Sequence, residues 1–264
     1  SDVCSSDLVV LGGDLKERSC DSVTTVALGT VSHGVELTRS GAKPGDYLAI
    51  TDSSCGKKVF GARWAQELVP FLSLEERSLI VEILRRDARA TDLSLPCSLV
   101  STVASARVAT AAIDTSDGLL ACAELIGKAS DVGVEFSVPA LENLLDPGVV
   151  SLARALGVEP FVFAFSAGHE WEIIFSLAPA CVSSDGRSVT LADGQDSSES
   201  LKIIGRVAER CAPDEASVQI RLPDDTVRRI PRFTDEKFAV GPAEMRPKEW
   251  LEFARHVTRL VGAA

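Results

Sequence analysis

The sequence lacks any run of about 20 apolar residues, the length that a membrane-spanning helix needs, so we expect no membrane insertion. Its seven cysteines are scattered along 264 residues and include no Cys-x-x-Cys pair, which argues against a zinc site or a disulfide framework. The sequence also shows no secretory signal. Scattered cysteines in such a chain are typical of reduced thiols, and they predict a cytoplasmic protein.

Basic residues are outnumbered, with 27 Lys and Arg against 38 Asp and Glu, for a net charge of -11. Such a surface repels a phosphate backbone, so we expect no nucleic-acid partner. A phosphorylated small molecule would be repelled as well unless divalent cations screened the carboxylates at its site. The charge is therefore a first indication of a bound metal ion.

Hydrophobic periodicity predicts a mixed α/β fold, because short apolar runs typical of strands alternate with segments that space their apolar residues at three and four. Strands are predicted at 8–11, 22–31, 47–51, 108–113, 133–138, 172–177 and 201–207, and helices at 59–68, 74–88, 119–129, 149–156 and 247–261. Ser73 is a plausible cap for the second helix. Residues 183–200 are rich in Ser, Asp and Gly and predict an exposed loop or hairpin.

The most informative segment is Asp114-Thr115-Ser116-Asp117-Gly118, which lies between a predicted strand and a predicted helix. Two carboxylates three residues apart at a strand end can share Mg²⁺, and Ser116 adds a neutral ligand for a phosphate or an adenine. The alternative is that Ser116 or Asp117 only caps the helix. Capping explains one of the three polar residues.

Two strings upstream of this segment also contain residues that suit phosphate binding. Gly12-Gly13-Asp14 follows a short apolar run, and glycine there permits close approach of the backbone to phosphates, although the string alone is a common turn. In Thr38–Asp46, a turn-forming stretch and candidate domain boundary, the forked donors of Arg39 suit phosphate recognition. For residues 44–46 we favour the simpler interpretation of a connecting turn.

In order and spacing, these strings resemble motifs of the thiamine-monophosphate kinases, within the aminoimidazole ribonucleotide synthetase-like superfamily, over roughly residues 9–238. Residues 39–46 are similar to the family's Arg-Ser-Gly-Ala-Lys-Pro-Gly-Asp segment, and Asp114–Leu119 to its Asp-(Ile/Thr)-Ser-Asp-Gly-Leu string. Residues 167–173 line up with Gly-Gly-Glu-Asp-Tyr-Glu-Leu, and residues 232–238 match more weakly.

The resemblance implies a domain plan. Residues 39–264 would be the superfamily's C-terminal α/β domain, and residues 9–38 a remnant of the N-terminal domain that binds ATP and forms a homodimer in full-length members. Residues 1–8 show no periodicity and are interpreted as a non-native leader, with a frayed native end as the alternative.

The resemblance also implies the site and the reaction, which is phosphorylation of thiamine monophosphate to thiamine diphosphate by ATP and Mg²⁺. The implied residues are Asp14, Asp114 and Asp117 for the metal, Gly13, Asp14, Arg39 and Ser116 for ATP, Asp114, Asp117 and Arg39 for catalysis, and His169, Glu170 and Phe233 for the phosphorylated small-molecule substrate. The family's Gly-Asp-Asp and Ser-Thr-Asp motifs are missing from this chain. We therefore expect the chain as given to have little or no kinase activity.

Departures from the family pattern keep other functions open. His169 and Glu170 stand where the family has Glu-Asp, Ala167 replaces a glycine, and residues 55–59 replace its Gly-Asp-Ser-Ala-Ala string. For Phe233 alone, we favour a core position over a substrate contact. The alternatives are another ATP-using member of the superfamily, similar to a hydrogenase maturation factor or a purine-pathway synthetase, and a non-catalytic nucleotide-binding homologue.

Overall fold

The computed structural model describes residues 30–51, 65, 68–87, 97–115, 118–165, 172–183, 189, 201–210, 218–230 and 247–262, with backbone only at 81–87 and 247–249. The chain divides into two compact units, residues 1–32 and 33–264. Only residues 30–32 of the first unit are described, so the fold below is that of the second. The predicted strands at 8–11 and 22–31 and the predicted helix at 59–68 lie wholly or mostly outside the described residues, and the predicted boundary after residue 38 stays a prediction.

Seven described strands form one sheet in the spatial order β2-β4-β1-β5-β3-β6-β7. The strands are β1 (Tyr47–Thr51), β2 (Ala109–Asp114), β3 (Gly133–Ser137), β4 (Ile173–Leu177), β5 (Leu201–Ala208), β6 (Val218–Arg221) and β7 (Val227–Arg229). Neighbouring strands are antiparallel except for β3 and β6, which are parallel.

Helices pack on both faces of this sheet. The described helices are α1 (Leu74–Asp87), α2 (Cys97–Ala106), α3 (Leu119–Ser130), α4 (Val138–Leu144), α5 (Pro147–Ala155), α6 (Val162–Phe165) and α7 (Pro247–Gly262). No helix in these ranges is both long enough and apolar enough to cross a membrane. The predicted α/β class is confirmed, and the predicted strands and helices that fall on described residues agree with the structure to within two residues.

Side-chain alternation along the strands separates two cores. In β1, Leu48 and Ile50 enter the larger core with α1 and α3 to α7, whereas Ala49 enters a smaller core under α2. Trp250 of α7 is fully buried and lies edge-on to Phe163 of α6, with ring centroids 4.8 Å apart. The apolar face of α7 is therefore buried at Trp250, while Leu260 lies at its exposed rim.

The start of α1 shows how sequence determines an element. The Ser73 hydroxyl accepts a hydrogen bond from the Glu76 backbone N–H (3.2 Å), and Glu76 Oε2 accepts one from the Ser73 N–H (2.6 Å). This reciprocal pair satisfies two donors that a helix start leaves without partners. The predicted cap is confirmed.

Candidate functional site

Three segments meet at one end of the sheet. Because β4 is antiparallel to both β1 and β2, the ends of β1 at Thr51 and of β2 at Asp114 lie beside the start of β4 at Ile173. The matched strings 114–119 and 167–173 each have described residues at this point. The described residues Asp114 and Glu172 thus lie at the same sheet end.

Asp114 occupies the last position of β2, paired with Ile173 of β4. Its side chain is half-buried and lies on the opposite face of the sheet from Ile113, which belongs to the larger core. The Cys122 thiol, in the first turn of α3, donates a hydrogen bond to the Asp114 carbonyl oxygen at 3.0 Å. This contact holds the end of the strand against the start of the helix.

Thr115 converts the strand into a turn. Its N–H donates to the Glu172 carbonyl at 2.8 Å, as in a regular antiparallel pair, but the Glu172 N–H donates to the Thr115 hydroxyl at 3.1 Å instead of to its carbonyl. The Thr115 carbonyl accepts from the Gly118 N–H at 3.0 Å and closes a turn. We call this turn, which directly follows the strand end at Asp114, the Asp114 turn. Gly118 has φ +88°, which glycine adopts without steric strain.

Glu172 is buried, and its carboxylate oxygen Oε2 accepts a hydrogen bond from the Thr51 hydroxyl. The same hydroxyl accepts from the Ile173 N–H at 2.9 Å, so Thr51 connects β1 to β4. Neither Thr51 nor Thr115 was among the site residues predicted from the sequence. The signal that could have found them is a polar residue directly after a buried apolar strand, the same position that drew attention to Asp114.

The backbone of Arg39 contacts the last residue of α3. Its side chain is exposed, and its carbonyl oxygen accepts from the hydroxyl of Ser130, the last residue of α3, at 3.4 Å. The neighbouring residue Thr38 is bonded to Ala112 of β2, two residues before Asp114. The role of Arg39 stays a prediction.

The segment around Arg39 runs along the outer edge of β2. The Thr38 carbonyl accepts from the Ala112 N–H at 2.8 Å. At Gly41, φ is +116° and a Cβ would lie 2.5 Å from the Thr110 carbonyl oxygen, so only glycine fits without a shift of the backbone. The conformation of this matched string is therefore determined by its contact with β2.

Asp46, the last residue of this string, makes contacts that stabilise the fold. Its buried Oδ2 accepts from the Lys43 N–H (3.0 Å), the Thr110 hydroxyl (2.7 Å) and the Ser176 hydroxyl (3.0 Å). Burial and the nearby Asp46 charge raise the pKa of the Cys181 thiol, which therefore stays protonated at neutral pH. These contacts agree with the interpretation of residues 44–46 as a connecting turn.

Asp114 and Arg39 are the predicted site residues that fall on described positions. The others, which lie outside the described residues, are Gly13, Asp14, Ser116, Asp117, His169, Glu170 and Phe233. Within the described ranges, no group of three or more His, Cys, Asp or Glu side chains is arranged to hold a metal ion. The half-buried carboxylate of Asp114, beside a tight turn at a strand end, offers the hard oxygen ligands that suit Mg²⁺.

No family model matches the chain. Among related sequences, the thiamine-monophosphate kinase of Mycobacterium tuberculosis is 31% identical over 166 residues, 62% of this chain and 45% of that protein. The thiamine-monophosphate kinase of Halobacterium salinarum is 30% identical over 214 residues, 78% of this chain and 60% of that protein.

Among solved structures, the thiamine-monophosphate kinase of Stenotrophomonas maltophilia has a TM-score of 0.49 and 20% identity, and the match covers 72% of this chain and 54% of that one. The chain spans about half the length of the curated relatives it matches. Over that span, the sequence similarity shows that the chain belongs to the thiamine-monophosphate kinase family.

Proposed function

We propose that the chain is part of an enzyme that transfers the γ-phosphoryl group of ATP to thiamine monophosphate in the presence of Mg²⁺. The observation that carries this proposal is the meeting of the Asp114 turn and the Glu172 segment at one sheet end, in a chain related to kinases of that name. We further propose that the full-length protein is a cytoplasmic homodimer that binds no nucleic acid.

The proposed roles follow the chemistry of each side chain. Asp14, Asp114 and Asp117 would hold Mg²⁺, which neutralises phosphate charge when bound, while Gly13 and Ser116 would contact ATP and Arg39 would offset charge on the transferred group. His169, Glu170 and Phe233 would face the acceptor. The chain's work is to position two phosphates in line, and a phosphate nucleophile needs no general base.

The test is calorimetric titration of ATP into the protein with and without Mg²⁺, on this chain and on the gene product with any upstream coding sequence. We expect binding that requires Mg²⁺ and weakens about tenfold or more in Asp114→Asn. The matched control is Asp131→Asn, the same exchange at the C-terminal end of α3. ATP binding that does not depend on Mg²⁺ would contradict the proposal, as would an equal loss of ATP affinity in both variants.

The departures at Ala167, His169 and Glu170 favour a second candidate, an ATP-using member of the superfamily with a different acceptor. A panel of acceptor phosphates that includes thiamine monophosphate, assayed with the full-length protein, separates the candidates by which acceptor receives phosphate from ATP or stimulates ATP turnover. Absence of Mg²⁺-dependent ATP binding in the full-length protein would instead favour a non-catalytic homologue.

A further inference from the structure

Three buried polar side chains lie at the sheet end that carries Asp114, and each comes from a different segment of the chain. Thr51, Thr115 and Glu172 are 2%, 0% and 6% exposed. Burying hydroxyl and carboxyl groups costs free energy unless hydrogen bonds compensate. Buried polar groups at the ends of three strands therefore need hydrogen-bond partners. The arrangement of their hydrogen bonds indicates what the cluster does.

Glu172 is the centre of this cluster. Its carboxylate accepts from the Thr51 hydroxyl, its N–H donates to the Thr115 hydroxyl, and its carbonyl accepts from the Thr115 N–H. Thr51 in turn accepts from the N–H of Ile173. Residue 172 is thus tied to β1 through its side chain and to the end of β2 through its backbone.

The shape of the turn after Asp114 depends on this network. In a regular ladder the Glu172 N–H would occupy the Thr115 carbonyl. The Thr115 hydroxyl takes that N–H instead, and the Thr115 carbonyl accepts from the Gly118 N–H. Loss of the hydroxyl would leave the buried Glu172 N–H without its present acceptor and would draw it toward the carbonyl that accepts from Gly118.

We propose that Glu172, Thr51 and Thr115 are positioning residues that hold the Asp114 turn in the geometry required for metal and nucleotide binding. This inference rests on the proposed function, and it adds residues to which the motif comparison assigned no role. None of the three needs to touch the ligand. Each acts through the backbone of the described residues of the turn, which are Asp114, Thr115 and Gly118.

The test compares hydroxyl deletions that differ only in location. Thr115→Val and Thr51→Val remove hydroxyls from the network, and Thr115→Ser and Thr51→Ser restore them. The control is Thr110→Val, at the other end of β2, where the hydroxyl is also bonded to a buried carboxylate, that of Asp46. A purely structural role predicts the same behaviour for all three valine variants.

Two measurements are made on the full protein: Mn²⁺ binding in the presence of ATP, followed by the electron paramagnetic resonance signal of free Mn²⁺, and amide hydrogen exchange of the 114–122 segment. We expect Thr115→Val and Thr51→Val to weaken Mn²⁺ binding about tenfold or more and to speed exchange in that segment. The serine variants should stay within about twofold of the parent protein. Thr110→Val should lower the melting temperature but leave Mn²⁺ affinity within about twofold of the parent.

The outcomes distinguish this inference from the function beneath it. If the parent protein binds no Mn²⁺ with ATP, the proposed function fails and the positioning role fails with it. If the parent binds but the Thr115→Val and Thr51→Val proteins bind equally well, or if Thr110→Val loses as much affinity as they do, the positioning role alone is overturned.

Discussion

Glu142, in α4, is a carboxyl group whose surroundings disfavour its charge. Burial raises its pKa above the ordinary value, the nearby Glu159 charge raises it further, and Arg154 partly opposes both effects. The folded state therefore holds the proton more tightly than the unfolded state between the ordinary pKa and the raised one. The free energy of unfolding should fall as pH increases through that window, and the stabilisation is fully present only below it.

Replacing Glu142 by glutamine should remove this dependence. Above the window, at pH 7, we expect Glu142→Gln to be more stable than the parent by a few tenths of a kcal/mol, because solvent screens a half-buried group. Below the window, near pH 4, the advantage should vanish. Urea unfolding at both pH values measures the difference, with exposed Glu209→Gln as the control. If the free energy of unfolding changed by the same amount between pH 4 and pH 7 in Glu142→Gln and in the parent, this account would be contradicted.

The sequence identified Asp114 as a site candidate because a charge after five mostly apolar residues stands out. Thr51 and Thr115 did not stand out, because threonine is common in strands and its hydroxyl becomes informative only when its partner is known. That partner, Glu172, is 121 residues from Thr51 along the chain. Periodicity and spacing carry no information about a contact over such a separation.

At the scale of elements, the capping box of α1 is a contact that can be deleted singly. Ser73→Ala should cost about 1 kcal/mol, since the Glu76 N–H loses its acceptor at the helix start. The matched control is Ser78→Ala, an exposed serine inside the same helix, where alanine is the better helix former. Urea unfolding followed by circular dichroism measures both variants. A loss in Ser78→Ala as large as that in Ser73→Ala would show that the cap contributes nothing.

Elements with one polar and one apolar face were predicted well, as α1, α3 and α7 show. Three described helices, α2, α4 and α6, were not predicted, and two of them lack that contrast. All four residues of α6 are buried, so its sequence has no polar face, and α2 is rich in Ser, Thr and Val, which have modest helix propensity. The short strands β6 and β7 were missed as well, because three or four residues are too few to establish an alternation.

For the whole molecule, α7 contributes through Trp250. Trp250→Ala should lower the free energy of unfolding by about 3–5 kcal/mol, because it leaves a cavity against Phe163. That is a large share of the roughly 5–15 kcal/mol expected for a domain. Trp250→Phe should lose less, and Leu260→Ala, at the exposed rim of the same helix, should change stability by less than about 0.5 kcal/mol. Equilibrium unfolding in urea gives all three values, and similar losses at residues 250 and 260 would contradict this packing.

The strand order of the whole sheet could not be predicted from the sequence. β1 pairs with β4 and β5, more than 120 residues later, and nothing in the local pattern of residues 47–51 specifies those partners. The convergence of the Asp114 turn with the segment before β4 came from the family resemblance, and the pairing of β2 with β4 is consistent with it. The position of the segment around Arg39, at the edge of β2, depends on contacts with Ala112 and Ser130, which no motif encodes.

Strands β1, β2 and β4 are joined by a buried carboxylate at each of their two ends. Asp46 joins residues next to or within β1, β2 and β4 at one end through Thr110 and Ser176, and Glu172 joins them at the other through Thr51 and Thr115. Shortening or lengthening any one of the strands by a single residue would misalign one end. Insertions and deletions should therefore be confined to the connecting loops, and homologous chains should keep the lengths of these three strands in common.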